Sequence, residues 1–215
     1  MRIIGLTGGI GMGKSTVAAM LRRHGWVIFD ADATVRALQA PHGAALPAIE
    51  AAFPGTVRNH RLDRAGLRAR ILADPSAKRR LERLIHPLVR CAQRRCIAAA
   101  QRRHARGVVL DIPLLFETGA DRYTDFTLTV SAPLAIQRAR VRARGLSDAE
   151  ISAIIALQMP DAEKIRRADV TLRTGLSHHH TYRQLRRLLA GNRYFNACPD
   201  FNACPDSVAP PTIRR

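Results

Sequence analysis

Residues 5–16 read Gly5-Leu-Thr-Gly-Gly-Ile-Gly-Met-Gly-Lys-Ser-Thr16, and this stretch decides the fold. Five of its residues are glycine, and a lysine and two hydroxyl residues follow directly. Residues 1–7 are mostly apolar and predict a short strand, whereas residues 16–24 carry apolar side chains at helical spacing. A strand, a glycine turn and a helix N-terminus together favour anion binding, because unhindered N–H groups and the helix dipole attract negative charge.

The spacing from Gly8 to Gly13-Lys14-Ser15 matches the phosphate-binding loop G-x-x-x-x-G-K-[ST]. In that motif the lysine, here expected to face solvent, reaches the β- and γ-phosphates, and the serine hydroxyl ligates Mg²⁺. The sequence therefore predicts a site for ATP and Mg²⁺, with Ser15 as a metal ligand. The predicted nucleotide-binding residues are Gly8, Gly9, Gly11, Met12, Gly13, Lys14, Ser15 and Thr16.

The composition indicates a cytoplasmic protein with a sizeable core. The chain has 215 residues and no apolar run near the ~20 residues of a membrane span, so we expect no membrane partner. The N-terminal apolar stretch breaks into glycines too early for a signal peptide. The cysteines at 91, 96, 198 and 204 have no spacing typical of a disulfide framework, which favours a reduced compartment.

The formal net charge of +18 raises the hypothesis of a nucleic-acid partner. Yet lysine occurs only at positions 14, 78 and 164, and the aromatic content is 5%, with no interleaving of aromatic and basic residues. Such a composition does not favour a base-stacking surface. Anionic small substrates account for part of the charge, and the sequence disfavours nucleic acid.

Short apolar segments alternate with helical patterns, which predicts an α/β fold with a parallel sheet flanked by helices. The predicted strands are residues 1–7, 26–29, 107–112, 126–130 and 170–172. Residues 37–104 are helical and too long for a simple crossover, so we expect a helical insertion between core segments 1–36 and 105–190. Residues 191–215 contain a repeated Phe-Asn-Ala-Cys-Pro-Asp hexapeptide and predict a disordered tail.

Several local signals predict where individual helices begin. Asp63 is expected to cap a helix from residue 65, and Ser147-x-x-Glu150 forms a capping box. Pro87 suits the first turn of a long helix that runs to about residue 103.

Three aspartates fall where predicted parallel strands end, the edge at which α/β sheets bind ligands. Asp111 closes the third strand and is the predicted Mg²⁺ partner, with a turn or cap role as the alternative. Asp30 and Asp32 follow the second strand, and one of them is expected only to cap the next helix. Asp30 is the expected cap because it is closer to the strand.

Arg140 and Arg144 are spaced four residues apart in an arginine-rich helix that ends before Gly145. On one helical face, they could neutralise the charge that develops during phosphoryl transfer. The alternative is a solvated basic helix.

Taken together, these segments resemble the dephospho-coenzyme A kinase family over residues 1–190. The similarity includes the phosphate loop, Asp30-Ala-Asp32, and Leu62-Asp-Arg64. It continues through His86-Pro87, Pro113-Leu-Leu-Phe-Glu117, Gln158-Met-Pro160, Glu163-Lys164 and Ala168-Asp-Val170.

The resemblance implies transfer of the ATP γ-phosphate to the ribose 3′-hydroxyl of dephospho-coenzyme A, with Mg²⁺. It implies a nucleotide core, a helical substrate-binding insertion at 37–104, and a small lid at about 138–160. By the same resemblance Asp32 accepts the hydroxyl proton, and Arg140 and Arg144 are lid arginines. Thr174 departs from the family, which usually has asparagine there.

Three other classes of protein share the phosphate loop. A regulatory GTPase requires an N-K-x-D motif, and none of the lysines occurs in one. Another small-molecule kinase, acting on an acceptor such as a nucleoside monophosphate, would share the architecture and differ in the insertion. A nucleic-acid-binding ATPase is the more distant alternative.

Overall fold

The computed structural model describes residues 1–191, so all of the predicted tail except Gly191, including Cys198 and Cys204, lies outside the described residues. The chain divides into two compact units. The first contains Met1–Phe29 and the chain from Ala100 onward, and the second is Asp30–Ala99. Within residues 1–191, no helix combines the length and the apolar character needed to cross a membrane.

Residues 1–191 contain the strands β1 (Arg2–Thr7), β2 (Val27–Asp30), β3 (Val57–Arg58), β4 (Arg61–Leu62), β5 (Gly107–Asp111), β6 (Phe126–Ser131) and β7 (Val170–Arg173). They contain the helices α1 (Lys14–Arg23), α2 (Ala31–Leu38), α3 (Leu46–Ala52), α4 (Arg64–Ala73), α5 (Pro75–Arg102), α6 (Leu134–Arg142), α7 (Asp148–Ala156), α8 (Asp161–Arg167) and α9 (His178–Gly191), with a short 3-10 helix at Ala120–Tyr123.

The main sheet has the order β2-β5-β1-β6-β7, and β1 pairs in parallel with both β5 and β6. Every residue of β5 and β6 is buried, as expected for strands that helices cover on both faces. The core of this sheet packs Leu6 and Leu128 against helix residues such as Val17 and Leu185. The predicted α/β fold with a parallel sheet is confirmed. The sheet brings the carboxyl end of β1 beside those of its neighbours.

The predicted helix start at Pro87 is wrong, because α5 runs unbroken from Pro75 to Arg102 with Pro87 inside it. A proline inside a helix costs about 3 kcal/mol, since it removes one hydrogen bond and crowds the preceding turn. Apolar residues lie on both sides of it: Ile85 is buried in a hydrophobic cluster, and the partly buried Leu88 packs against the same cluster. Packing on both sides therefore keeps the helix continuous.

Both predicted caps are confirmed. The Asp63 carboxylate accepts a hydrogen bond from the Gly66 N–H at 2.9 Å and begins α4. Ser147 and Glu150 form the reciprocal capping box at the start of α7.

The second unit also contains a hairpin that the sequence pattern did not predict. Its strands β3 and β4 are antiparallel and are joined by Asn59 and His60, whose φ angles are 48° and 58°. Two positive φ angles in a two-residue loop are typical of a type I′ turn, and asparagine tolerates this conformation well. Asn59 was therefore the available sequence signal.

Candidate active site

The phosphate loop connects β1 to α1, and glycine is required at Gly11 by both conformation and space. Gly11 has a φ of 72°, which side-chain-bearing residues rarely adopt. A Cβ atom there would lie 2.6 Å from Val141 Cγ2 and 2.9 Å from the carbonyl oxygen of Gln137. Since one of these atoms belongs to the backbone of α6, the loop packs directly against that helix.

We expect Gly11→Ala to destabilise the protein and to weaken nucleotide binding at least tenfold. The left-handed conformation costs alanine about 1–2 kcal/mol, and the overlap with α6 adds about 1–3 kcal/mol. The matched control is Gly25→Ala, because Gly25 has a φ of 81° and nothing within 4 Å of its Cβ position. Thermal denaturation and calorimetric titration with ATP test both variants. Equal ATP affinity in the two variants would contradict the expectation.

Side chains from distant parts of the chain hold three consecutive loop carbonyls. Gln137 Nε2 donates to the Ile10 oxygen at 2.8 Å, and Arg140 Nη1 donates to the Gly11 oxygen at 3.3 Å. Thr174 Oγ1 donates to the Met12 oxygen at 2.5 Å. These three bonds occupy carbonyl oxygens that would otherwise repel an anion, so they favour a loop that presents N–H groups to phosphate.

Lys14 and Asp111 form an ion pair between the start of α1 and the end of β5. Asp111 lies beside Leu6 in the parallel register of β5 with β1, and its side chain is 7% exposed. The Lys14 side chain is 18% exposed, so the expectation that it faces solvent is wrong. Pairing with a buried carboxylate draws the ammonium inward, because the carboxylate is costly to bury alone.

The residues predicted to hold Mg²⁺ have suitable chemistry. Asp111 supplies a carboxylate at the carboxyl end of β5, and Ser15 supplies an exposed hydroxyl in the first turn of α1. Mg²⁺ prefers oxygen ligands and commonly takes only one or two from protein, with phosphates and waters completing the set. A carboxylate and a hydroxyl next to a phosphate loop fit that requirement.

The predicted arginine pair is separated. α6 ends at Arg142, and Gly145 with a φ of 90° turns the chain away, so Arg144 lies beyond the helix and is exposed. The prediction that Arg140 and Arg144 share one helical face is therefore wrong. Arg140 contacts the loop, and its Nη2 also donates to the Thr174 carbonyl at 2.6 Å.

The other two arginines of α6, Arg138 and Arg142, both form ion pairs with Asp148 on α7. Arg142 Nη2 donates to both carboxylate oxygens of Asp148, at 2.6 and 2.9 Å, and Arg138 Nη1 donates to Ser152 Oγ at 3.2 Å. The hydrogen bond from Arg142 holds the pKa of Asp148 below its ordinary value. These side chains connect α6 to α7, whereas Arg140 connects α6 to the loop.

Asp30 and Asp32 belong to the second unit and have different environments there. Asp30 Oδ1 accepts from the Ala33 N–H at 2.7 Å and caps α2, as predicted. Asp32 lies in the first turn of the same helix with its side chain exposed. The capping contact therefore occupies Asp30, and Asp32 remains the candidate for proton transfer.

A cavity of about 430 Å³ opens at the carboxyl ends of β6 and β7. Its walls include Pro133, Ile136 and Leu176, and the adjoining Ala132 N–H donates to Met12 Sδ at 3.0 Å. The cavity therefore borders the phosphate loop. Its apolar walls suit the flat face of a nucleobase.

Of the side chains that hydrogen-bond to the loop, sequence reasoning singled out Arg140 but gave no such role to Gln137, Gln158 or Thr174. Gln137 has no local signal, and Gln158 was noted only as part of a family motif. Thr174 was noted as a departure from that family, yet its hydroxyl contacts the loop at Met12. These contacts join residues up to 162 positions apart, which periodicity and capping rules do not address.

A parallel sheet in the order β2-β5-β1-β6-β7, with a lysine-bearing phosphate loop after β1, defines a P-loop kinase. The family model for dephospho-CoA kinase matches residues 2–178, and this chain belongs to that family. ATP-dependent phosphorylation of dephospho-CoA is the reaction of the family.

Individual relatives agree with this assignment. The dephospho-CoA kinase of Gluconobacter oxydans is 50% identical over 194 residues, which cover 88% of this chain and 96% of that protein. The crystal structure of TT1252 from Thermus thermophilus has a TM-score of 0.75 at 41% identity and covers 88% of this chain and 96% of that one. The dephospho-CoA kinase of Campylobacter jejuni shares the fold, with a TM-score of 0.64 at 21% identity over 86% of this chain and 96% of its own.

Proposed function

We propose that this chain transfers the γ-phosphate of ATP to the ribose 3′-hydroxyl of dephospho-coenzyme A, giving coenzyme A and ADP, and that it does so in the cytoplasm. The observation that carries the proposal is the phosphate loop with its Lys14–Asp111 pair, within a chain that matches the dephospho-CoA kinase model over residues 2–178. The cysteines Cys91 and Cys96 are free, which is consistent with a reduced compartment.

The residues of the first unit bind and neutralise the triphosphate in this proposal. The loop N–H groups and the N-terminus of α1 surround the phosphates, and Lys14 reaches the β- and γ-oxygens. Ser15 and Asp111 would hold Mg²⁺, which would offset the negative charge of the phosphates. Arg140 positions the loop and adds positive charge close to it, and Arg144 approaches the nucleotide from the end of α6.

The helical insertion at about residues 37–104 receives the acceptor in this proposal, and most of it lies in the second unit, Asp30–Ala99. Asp32 accepts the proton of the 3′-hydroxyl as the new phosphorus–oxygen bond forms, which keeps the attacking oxygen oriented and nucleophilic. The region at about 138–160 acts as the lid and excludes water during transfer.

A coupled assay of ADP release, run across a panel of acceptors, tests the reaction. We expect turnover with dephospho-coenzyme A and mass-spectrometric detection of the 3′-phosphorylated product. Turnover with a nucleoside monophosphate instead would favour the alternative kinase. Release of ADP that depends on added DNA, and declines as salt increases, would favour the nucleic-acid-binding ATPase.

We expect Arg140→Ala and Arg144→Ala to lower kcat/KM for ATP about tenfold or more, because each removes positive charge beside the transferring group. The controls are Arg138→Ala and Arg142→Ala, since both side chains contact Asp148 on α7. Steady-state kinetics with varied ATP measure the four variants. Equal losses in all four would indicate general electrostatics and would contradict specific roles for Arg140 and Arg144.

A further inference from the structure

Lys164 on α8 is a fully buried ammonium group that phosphate-loop chemistry does not use. Its side chain is 1% exposed, and its Nζ donates to the Pro113 carbonyl at 2.9 Å and pairs with Glu117 Oε1 at 2.9 Å. A buried ammonium is costly unless partners replace its water shell. Lys164 therefore fixes α8 against the segment that follows Asp111.

Both partners of Lys164 make a second contact of their own. The Pro113 carbonyl also accepts from Thr7 Oγ1 at 2.9 Å, at the end of β1 and directly before the phosphate loop. Glu117 Oε1 also accepts from the Met159 N–H at 2.9 Å. Burial raises the pKa of Glu117, but the hydrogen bonds from Lys164 and Met159 outweigh it and leave that pKa below its ordinary value. The carboxylate is thus charged when it holds these two donors.

The residue before Met159 extends this series of contacts to the loop itself. Gln158 precedes Met159, and its Oε1 accepts from the Ile10 N–H at 3.1 Å. The amide of Met159 is held by Glu117, so the position of Gln158 depends on the ion pair of Glu117 with Lys164. The Gln158–Ile10 bond spans 148 positions and ends in the middle of the phosphate loop.

We propose that Glu117, Gln158 and Lys164, together named the Lys164 cluster, are positioning residues that set the conformation of the phosphate loop at Ile10. This role would explain three motifs that have no part in phosphate binding itself: Pro113–Glu117, Gln158–Pro160 and Glu163-Lys164. It acts through geometry, because a loop that must place N–H groups on phosphate loses affinity when it shifts by a fraction of an ångström. Its effect on turnover rests on the proposed function, whereas its effect on nucleotide affinity does not.

The experiment measures the affinity of the full chain for a non-hydrolysable ATP analogue by calorimetry. We expect Lys164→Met and Gln158→Ala each to weaken binding about tenfold, because each releases Ile10. The double variant should bind no more weakly than the weaker single variant, since both changes act through one contact. Additive losses would overturn the proposal, and so would unchanged affinity in either single variant.

A matched control separates positioning from general destabilisation. The Asp169 carboxylate accepts hydrogen bonds from the Thr127 N–H at 2.7 Å and from the Thr127 hydroxyl at 2.6 Å. Thr127 is near the start of β6 and Asp169 directly precedes β7, so this contact lies at the amino ends of the two strands, whereas the phosphate loop lies at the carboxyl ends. Asp169→Asn should lower the thermal midpoint and leave analogue affinity unchanged. An equal loss of affinity in this variant would show that any disturbance of the unit has the same effect, and would overturn the proposal.

A milder variant keeps the test decisive if Lys164→Met does not fold. Glu117→Gln retains an acceptor for Met159 and Lys164 but removes the charge, and we expect it to weaken analogue binding severalfold. Unchanged affinity in Glu117→Gln would count against the cluster. Failure of the parent to phosphorylate dephospho-coenzyme A would count only against the proposed function.

Discussion

Replacing Lys14 with alanine is expected to lower turnover of ATP and dephospho-coenzyme A by on the order of 10² or more, because the ammonium neutralises phosphate charge as the γ-phosphoryl group transfers. The surroundings of Lys14 add a second effect. Its partner Asp111 is 7% exposed, so the single substitution leaves a nearly buried carboxylate without this cation. We therefore expect a loss of about 1.5–3 kcal/mol in the free energy of unfolding as well.

A double variant separates these two effects. In Lys14→Met with Asp111→Asn, neither residue carries a charge, and replacing both members of a buried pair is often close to neutral for stability. We expect the thermal midpoint to return towards that of the parent while turnover stays low, because Lys14 is gone and the proposed Mg²⁺ ligand is lost. Near-parent turnover in Lys14→Ala would remove Lys14 from the phosphate site.

The features that sequence predicted here are the local ones. The phosphate loop, the caps at Asp63 and Ser147, and the buried strands each depend on residues within a few positions of one another. Their physical causes are backbone conformation, hydrogen bonds to nearby N–H groups and short runs of apolar residues. Such signals appear directly in a sequence, and the structure confirms these elements.

The contacts that shape the site are of another kind. Gln158 reaches Ile10 across 148 positions, and Thr174 reaches Met12 across 162. The continuity of α5 through Pro87 likewise depends on packing, since the propensity of proline favours a break there. These outcomes depend on which segments meet in three dimensions. A single sequence records that information only as motifs without a stated role, such as Gln158-Met-Pro160.

Asp32→Asn is expected to lower turnover by on the order of 10² or more while the fold and the affinity for ATP persist. The phosphate loop and its cation hold ATP, but a transferase must also orient the acceptor hydroxyl and accept its proton. The amide of asparagine has nearly the same size as the carboxylate but is too weak a base to accept a proton. The carboxylate of Asp32 is exposed in the first turn of α2, whereas that of Asp30 is occupied by the helix cap.

Substitutions at Asp30 provide the control for this assignment. Asparagine caps helices about as well as aspartate, so Asp30→Asn should preserve stability, whereas Asp30→Ala should cost about 1 kcal/mol of unfolding free energy. Neither should reproduce the loss of turnover seen at Asp32, because neither removes the proposed base. ADP release, ATP titration by calorimetry and thermal denaturation on the three variants give the complete comparison. If Asp32→Asn transfers phosphate at nearly the parent rate, or if Asp30→Asn is as slow as Asp32→Asn, the proton acceptor is a different residue.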